Sequence, residues 1–149
     1  MTNEQIINKF LSQEAEKFQT VNSLTIEKDK LFSYATMIAR FEKQTLLVTD
    51  HTYSVTTTKH VSLLKSNYSS IIYVSPNFLL VRISKKAQLK LLIDEINLKI
   101  NELNKKKRKN TNIYKYLNNQ HSDLVANCLD FIKLYNLKTD LNSKLDKIS

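Results

Sequence analysis

The chain has 149 residues, a net charge of +9, 42% hydrophobic residues, one proline and no glycine. Its apolar content suffices for a packed core in one domain or two small ones, which sets it apart from disordered chains. The lack of glycine excludes Gly-rich phosphate loops, dinucleotide fingerprints and nucleophile elbows, and tight turns must draw on Asn, Asp or longer loops.

A single cysteine, Cys128, excludes an internal disulfide and a Cys-rich metal site. It sits on an apolar helical stripe, where a thiol serves as core filler. His51, His60 and His121 are scattered and form no His-x-x-x-His pair, so neither a metal nor a cofactor is expected. The N-terminus is polar, and no run approaches the roughly 18 apolar residues of a membrane span. The expectation is a soluble cytoplasmic protein with no membrane partner.

The first element opens on Thr2-x-x-Gln5, a capping-box pattern. Ile7, Phe10, Leu11, Ala15 and Phe18 follow at helical spacing, which predicts a helix over Asn3–Gln19. Residues 22–30 are polar and read as a connection, with a brief strand at Leu24–Ile26. Leu31–Phe41 reads as one central strand, with Tyr34, Thr36 and Ile38 on one side and Ala35, Met37 and Ala39 on the other. Glu42-Lys43-Gln44 turns it back into a strand at Thr45–Thr49.

Tyr53-Ser54-Val55-Thr56-Thr57-Thr58-Lys59-His60 is rich in hydroxyls and precedes Val61, Leu63, Leu64 and Tyr68. It reads as a strand ending near Val55, a threonine cap and a short helix to about Ser66. Lys59 and a half-buried His60 then fall in the first turn, where a cation opposes the helix dipole. Two readings stay open here. In one the stretch is only a helix start; in the other Lys59 and His60 contact an anionic partner.

Two runs carry a family likeness. Ser33, Tyr34, Thr36, Ile38 and Ala39 fit Ser-Tyr-x-Thr-x-Ile-Ala, and Tyr53, Ser54, Thr56, Thr57, Lys59 and His60 fit Tyr-Ser-x-Thr-Thr-x-Lys-His. In these runs the chain resembles a family of small uncharacterised proteins of phages and mobile elements. The likeness spans Leu31 to Tyr68. It implies a genomic setting that includes anti-CRISPR proteins and other host-takeover factors, and it implies no activity. The long C-terminal part departs from the family's short members.

Ile71–Val74 reads as a further strand. Ser75-Pro76-Asn77 is either a turn into a strand over Phe78–Ile83 or a helix start with Ser75 as cap and Pro76 at the first position. The β-branched Val81 and Ile83 tip the reading to the strand. Beyond Ser84 the period becomes helical. Leu89, Ile93, Ile96, Ile100 and Leu103, with Leu92 beside them, mark one helix. Lys105, Lys106, Lys107, Arg108 and Lys109 end it. Leu117, His121, Leu124, Cys128, Phe131, Leu134, Leu141, Leu145 and Ile148 mark a second, starting near Thr111. A short link between long helices predicts an antiparallel hairpin with the basic run at its tip.

The charge is uneven: residues 1–30 carry −1, residues 31–84 carry +3 and residues 85–149 carry +7. Such a surface suits phosphate backbones or an acidic protein, and excludes an acidic DNA mimic. Tyr114 and Tyr116 flank a lysine beside the basic run and could stack on bases. The whole reads as an α+β protein: an N-terminal helix, a small antiparallel sheet with a short helix (1–84), and a C-terminal antiparallel helical hairpin (85–149). No acid, base and nucleophile constellation assembles, so the expectation is a non-enzymatic binding protein. Its expected partner is a host protein or nucleoprotein complex, an RNA-guided CRISPR effector nuclease being the concrete case. Binding would run through Lys59, His60, Lys105, Lys106, Lys107, Arg108, Lys109, Tyr114 and Tyr116. The alternative is a small basic protein that binds DNA or RNA directly.

Overall fold

A computed structural model describes residues 1–13 and 18–149. The chain divides into two compact units, Met1–Arg82 and Ile83–Ser149. The architecture is α+β, with a helix, a six-stranded sheet and short helices in the first unit and a pair of long helices in the second.

Helix α1 (Asn3–Leu11) starts where the capping box places it. Thr2 Oγ1 accepts the Gln5 amide at 3.1 Å, and Gln5 Oε1 accepts the Thr2 amide at 2.7 Å. It buries Ile6, Ile7, Phe10 and Leu11 and ends well short of Gln19. The expected helical positions of Ala15, Glu14, Glu16 and Lys17 lie outside the described residues. Phe18 belongs to a strand and is exposed, so its helical spacing was coincidental.

Strands β1 (Phe18–Val21), β2 (Leu24–Glu27), β3 (Lys30–Ser33), β4 (Thr36–Glu42) and β5 (Thr45–Thr49) form an antiparallel meander in sequence order. Each is joined to the next by two residues. The first of these, Asn22, Lys28, Tyr34 and Lys43 in turn, takes a positive φ of 55–57°. Hairpins of this length favour such a conformation because its twist matches the strands. Glycine would supply it without strain. This chain uses Lys and Tyr as well as Asn, which is why two of the turns did not stand out in the sequence. The polar 22–30 segment is therefore two strand ends and a turn. The expected single strand Leu31–Phe41 is cut into β3 and β4 at Tyr34-Ala35. A bulge opposite Leu31/Phe32 then adds a residue, so Ile38 and Ala39 are both buried in succession.

The sheet departs from the antiparallel one that the sequence implies. Strand β6 (Ile71–Val74) lies parallel to β5, with Leu46 opposite Ile71 and Val48 opposite Tyr73. A parallel neighbour needs a long crossover, and helix α2 (Val55–Asn67) supplies it. One sheet face, including Leu24, Ile26, Leu31, Ala39, Phe41, Leu46 and Val48, packs with α1 and with Leu64 of α2. Tyr68 closes this core by an edge-on contact with Phe41, 5.6 Å between ring centroids.

Phe78–Ile83 is not a strand. Ser75 caps a short helix α3 (Pro76–Leu79) by accepting the Phe78 amide, with Pro76 at the first position. Phe78 and Leu79 are buried, and Arg40 of β4 reaches the open end of this helix. Its Nε donates to the Leu79 carbonyl at 3.1 Å and its Nη2 to the Phe78 carbonyl at 3.4 Å. Glu42 pairs with Nη1 at 2.9 Å. Burial of Phe78 and Leu79 outweighs the strand preference of Val81 and Ile83.

In the second unit, α4 (Lys85–Asn104) and α5 (Asn112–Leu134) pack together along Leu89, Leu92, Ile96, Ile100 and Leu103 and along Leu117, Cys128 and Phe131. Lys99 Nζ donates to Gln120 Oε1 at 3.0 Å, and Lys85 lies 4.7 Å from the Tyr135 ring centroid. The start of one helix thus meets the end of the other, the antiparallel arrangement the short link requires. The second stripe does not run on as one helix to Ile148. A left-handed Asn136 (φ 51°) ends α5, Leu141 anchors a one-turn helix α6 (Leu141–Lys144), and 145–149 continue without helix. Burial raises the Cys128 thiol to about 11.

Val81 occupies the left-handed position (φ 57°) of a Schellman turn: its amide bonds Phe78 O at 3.0 Å and the Arg82 amide bonds Asn77 O at 2.8 Å. A β-branched residue is strained there. Val81→Gly is expected to stabilise the first unit by about 1 kcal/mol, after the entropy of the freer unfolded chain is deducted. Urea melts of the two proteins measure it, and an unchanged midpoint would remove the strain. Cys128 is expected to resist thiol reagents at pH 8 until denaturant is added, as a buried thiol does.

Candidate functional site

The hydroxyl-rich stretch folds differently from its reading as a strand end. The strand before it, β5, already ends at Thr49, and residues 50–54 form no strand. The cap is Ser54, whose Oγ accepts the Thr57 amide at 3.3 Å, so no threonine acts as cap. Helix α2 has no broad apolar stripe. Its buried residues are Thr57, His60 and Leu64, one line down the helix at i, i+3 and i+7.

That line sits over Ser33 of β3. Ser33, Thr57 and His60 are 0%, 4% and 1% exposed. Ser33 Oγ lies 3.0 Å from Thr57 Oγ1 and 2.8 Å from His60 Nδ1. Ser54 Oγ donates to Thr57 Oγ1 at 3.2 Å. On the far side of the ring, Asn3 Nδ2 is 3.4 Å from His60 Nε2, while Asn3 Oδ1 accepts from Asn22 Nδ2 at 3.0 Å. The amide of Asn3 is therefore oriented with its NH2 toward the ring. Nε2 must accept, so Nδ1 carries the proton and donates to Ser33 Oγ. Burial lowers the His60 pKa below its usual value of 6.5. A second proton at Nε2 would also face the Asn3 donor.

A serine hydrogen-bonded to an imidazole suggests a nucleophile and its base. This pair is enclosed, and the group orienting the imidazole is an amide donor. Among the described residues no carboxylate is hydrogen-bonded to His60 to stabilise an imidazolium, as a triad needs. The arrangement ties β3, α2 and α1 together through hydrogen bonds in the core. Among the described residues no group of His, Cys, Asp and Glu is arranged to hold a metal ion.

The sequence-predicted binding residues separate accordingly. His60 is turned into the core, fully buried rather than half-buried. Lys59 is exposed in the second turn of α2. Lys105, Lys106, Lys107, Arg108 and Lys109 are all exposed in the link between α4 and α5. Tyr116 and Ile113 are exposed in the first turns of α5, and Tyr114 is half-buried. The structure thus gathers the basic run and the two tyrosines at one end of the hairpin, whereas Lys59 belongs to the other unit. Lys105 caps α4, where a cation meets the negative end of the dipole. Arg108 and Lys109 instead precede the positive end of α5, capped by Thr111. The local field there attracts anions. Lys109 Nζ also donates to the Ser149 carbonyl at 2.6 Å. Sequence reasoning missed Ser33 and Asn3 as partners of His60, since nothing local links residues this far apart.

Residues 4–75 match a family of unknown function, DUF8033, just under half of the chain. The match falls within the first unit and includes the Ser33–Thr57–His60 tie as well as the whole Leu31–Tyr68 stretch. No curated protein and no solved structure matches the chain. No helix among the described residues is long and apolar enough to cross a membrane.

Ser33→Ala is expected to destabilise the first unit by about 1–3 kcal/mol, because it leaves buried partners unsatisfied. The lowered His60 pKa has a definite sign. The unfolded chain takes up a proton near pH 6.5 and the folded chain does so only at lower pH. The His60 contribution is therefore complete above that value, falls as the pH drops through it, and levels off below the folded pKa. Urea melts at pH 7.5 and 5.5 should show this loss, and His60→Gln should shrink it. An equal slope in both proteins would assign it to other groups.

Proposed function

We propose that this chain is a non-enzymatic binding protein whose basic hairpin tip engages an anionic surface of a host nucleoprotein complex. An RNA-guided nuclease is the most concrete target, given the phage and mobile-element setting that the sequence resemblance implies, and the cytoplasm would then be its place of action. The observation that carries the reading is the run of five cations, all exposed, in a loop between two packed helices. Inhibition would be steric. The hairpin positions the cations against guide-RNA phosphates or acidic side chains, and the long-range field speeds the encounter.

A second reading, direct binding to DNA or RNA, draws support from the exposed Tyr116 beside the cations, since an aromatic face can stack on a base.

Replacing Lys105, Lys106, Lys107, Arg108 and Lys109 with Gln should leave the melting transition in place, because the loop contributes no buried side chain. It should weaken binding and flatten its salt dependence. Pull-downs from host lysate with and without nuclease, using both proteins, separate the readings. A nuclease-resistant protein partner lost with the five cations supports docking, and a nuclease-sensitive one supports direct nucleic-acid binding. An unchanged set of partners and unchanged affinity for nucleic acid would remove the loop from any binding surface.

A further inference from the structure

The segment after α6 is held on α4 by two asparagine side chains in a repeating pattern. Asn97 Nδ2 donates to the Lys144 carbonyl at 3.2 Å, and Asn97 Oδ1 accepts the Asp146 amide at 2.8 Å. One turn pair further on, Asn104 Nδ2 donates to the Lys147 carbonyl at 2.9 Å, and Asn104 Oδ1 accepts the Ser149 amide at 2.8 Å. Each carboxamide thus clasps the two peptide groups that flank one aliphatic residue, Leu145 in the first case and Ile148 in the second. The spacings agree. Seven residues of helix rise about 10.5 Å, and three residues of extended chain span about 10 Å. Leu145 has φ −96° and ψ 144°, extended backbone.

These four bonds go to main chain, so they read conformation and spacing; Ser149 adds two ties of its own, its Oγ donating to Asn104 Oδ1 at 3.0 Å and its carbonyl accepting from Lys109 Nζ at 2.6 Å. Leu145 is only half-buried and Ile148 is 44% exposed, so little apolar burial holds the segment down. Such weakly buried segments open at low free-energy cost. Strand-adding recognition elsewhere works in the same way, with main-chain bonds for affinity and alternate side chains for register.

We propose that the Asn97/Asn104 face of α4 is a docking site for an extended aliphatic-x-x-aliphatic segment of a partner polypeptide, and that residues 144–149 occupy it in cis as a displaceable strap. The strap competes with the partner at high effective concentration. Affinity for the partner is therefore set by how often the strap lifts.

The test uses the full chain carrying Asp146→Pro and Ser149→Pro, which removes both clasped N–H groups and so vacates the site while leaving both long helices untouched. A fluorescent peptide with the sequence of residues 140–149 should bind this chain, and bind the unaltered chain about tenfold or more weakly because the strap blocks it. Adding Asn97→Ala and Asn104→Ala to the vacated chain should abolish binding. The same peptide with Asp146→Pro and Ser149→Pro should bind about tenfold or more weakly, since proline keeps the chain extended and removes the clasped N–H groups. Hydrogen exchange of the Asp146 and Ser149 amides in the unaltered chain gives a second measurement. Slow exchange that Asn97→Ala and Asn104→Ala accelerate, with helicity unchanged, supports the clasp. Failure of the peptide to bind a vacated chain of full helicity, or equal binding of the proline peptide, would overturn the proposal. So would a dimer of the unaltered chain that the two alanines dissolve, because the occupant would then be a second copy of this chain.

Discussion

The first unit depends on how α2 is seated. A crossover helix normally docks through an apolar stripe, and this one offers Leu64 with part of Val61 and Leu63. The remainder of its inner line is a threonine and a histidine. They stay in the core because Ser33, Ser54 and Asn3 meet their polar atoms in a continuous hydrogen-bonded chain. Burying these groups unpaired would cost several kcal/mol, so the contact specifies one docking position in a way a greasy face does not. The placement of β6 follows, since the crossover delivers it parallel to β5.

The absence of glycine shapes the rest. Left-handed turn positions fall to Asn, Lys, Tyr, Gln and Val. Asn tolerates this conformation, and Lys and Tyr accept it at modest cost in exposed turns. The meander therefore stores small strains at its corners that sheet pairing and core burial offset.

In the second unit the balance of forces differs. Two helices share a narrow apolar seam, their link is loaded with like charges, and the final segment is tied back by asparagine side chains. Electrostatic repulsion in the link is tolerable because it faces water, where screening is strong. Chemistry exposed at this tip and along α4 is available to partners, whereas the Ser33–His60 pair is committed to the core.

The elements whose causes lie within a few residues were legible in the sequence. The Thr2–Gln5 box, the strand pairs about Lys43, the Ser75-Pro76 helix start as one of two alternatives, both long helices and the basic link are all set by capping, periodicity or charge. Elements whose causes lie far apart were not. The cut at Tyr34-Ala35 and the short α1 depend on pairing with β2 and β3. The parallel β6 depends on where α2 docks, and the helical state of Phe78-Leu79 on burial and on the reach of Arg40. His60 showed the difference most directly. Its sequence neighbours, Lys59 and three threonines, suggest a polar surface, and only the sheet beneath it supplies Ser33. A side chain's local pattern determines which conformations are cheap; whether a polar one faces water or the core is decided by the partners that tertiary structure brings to it.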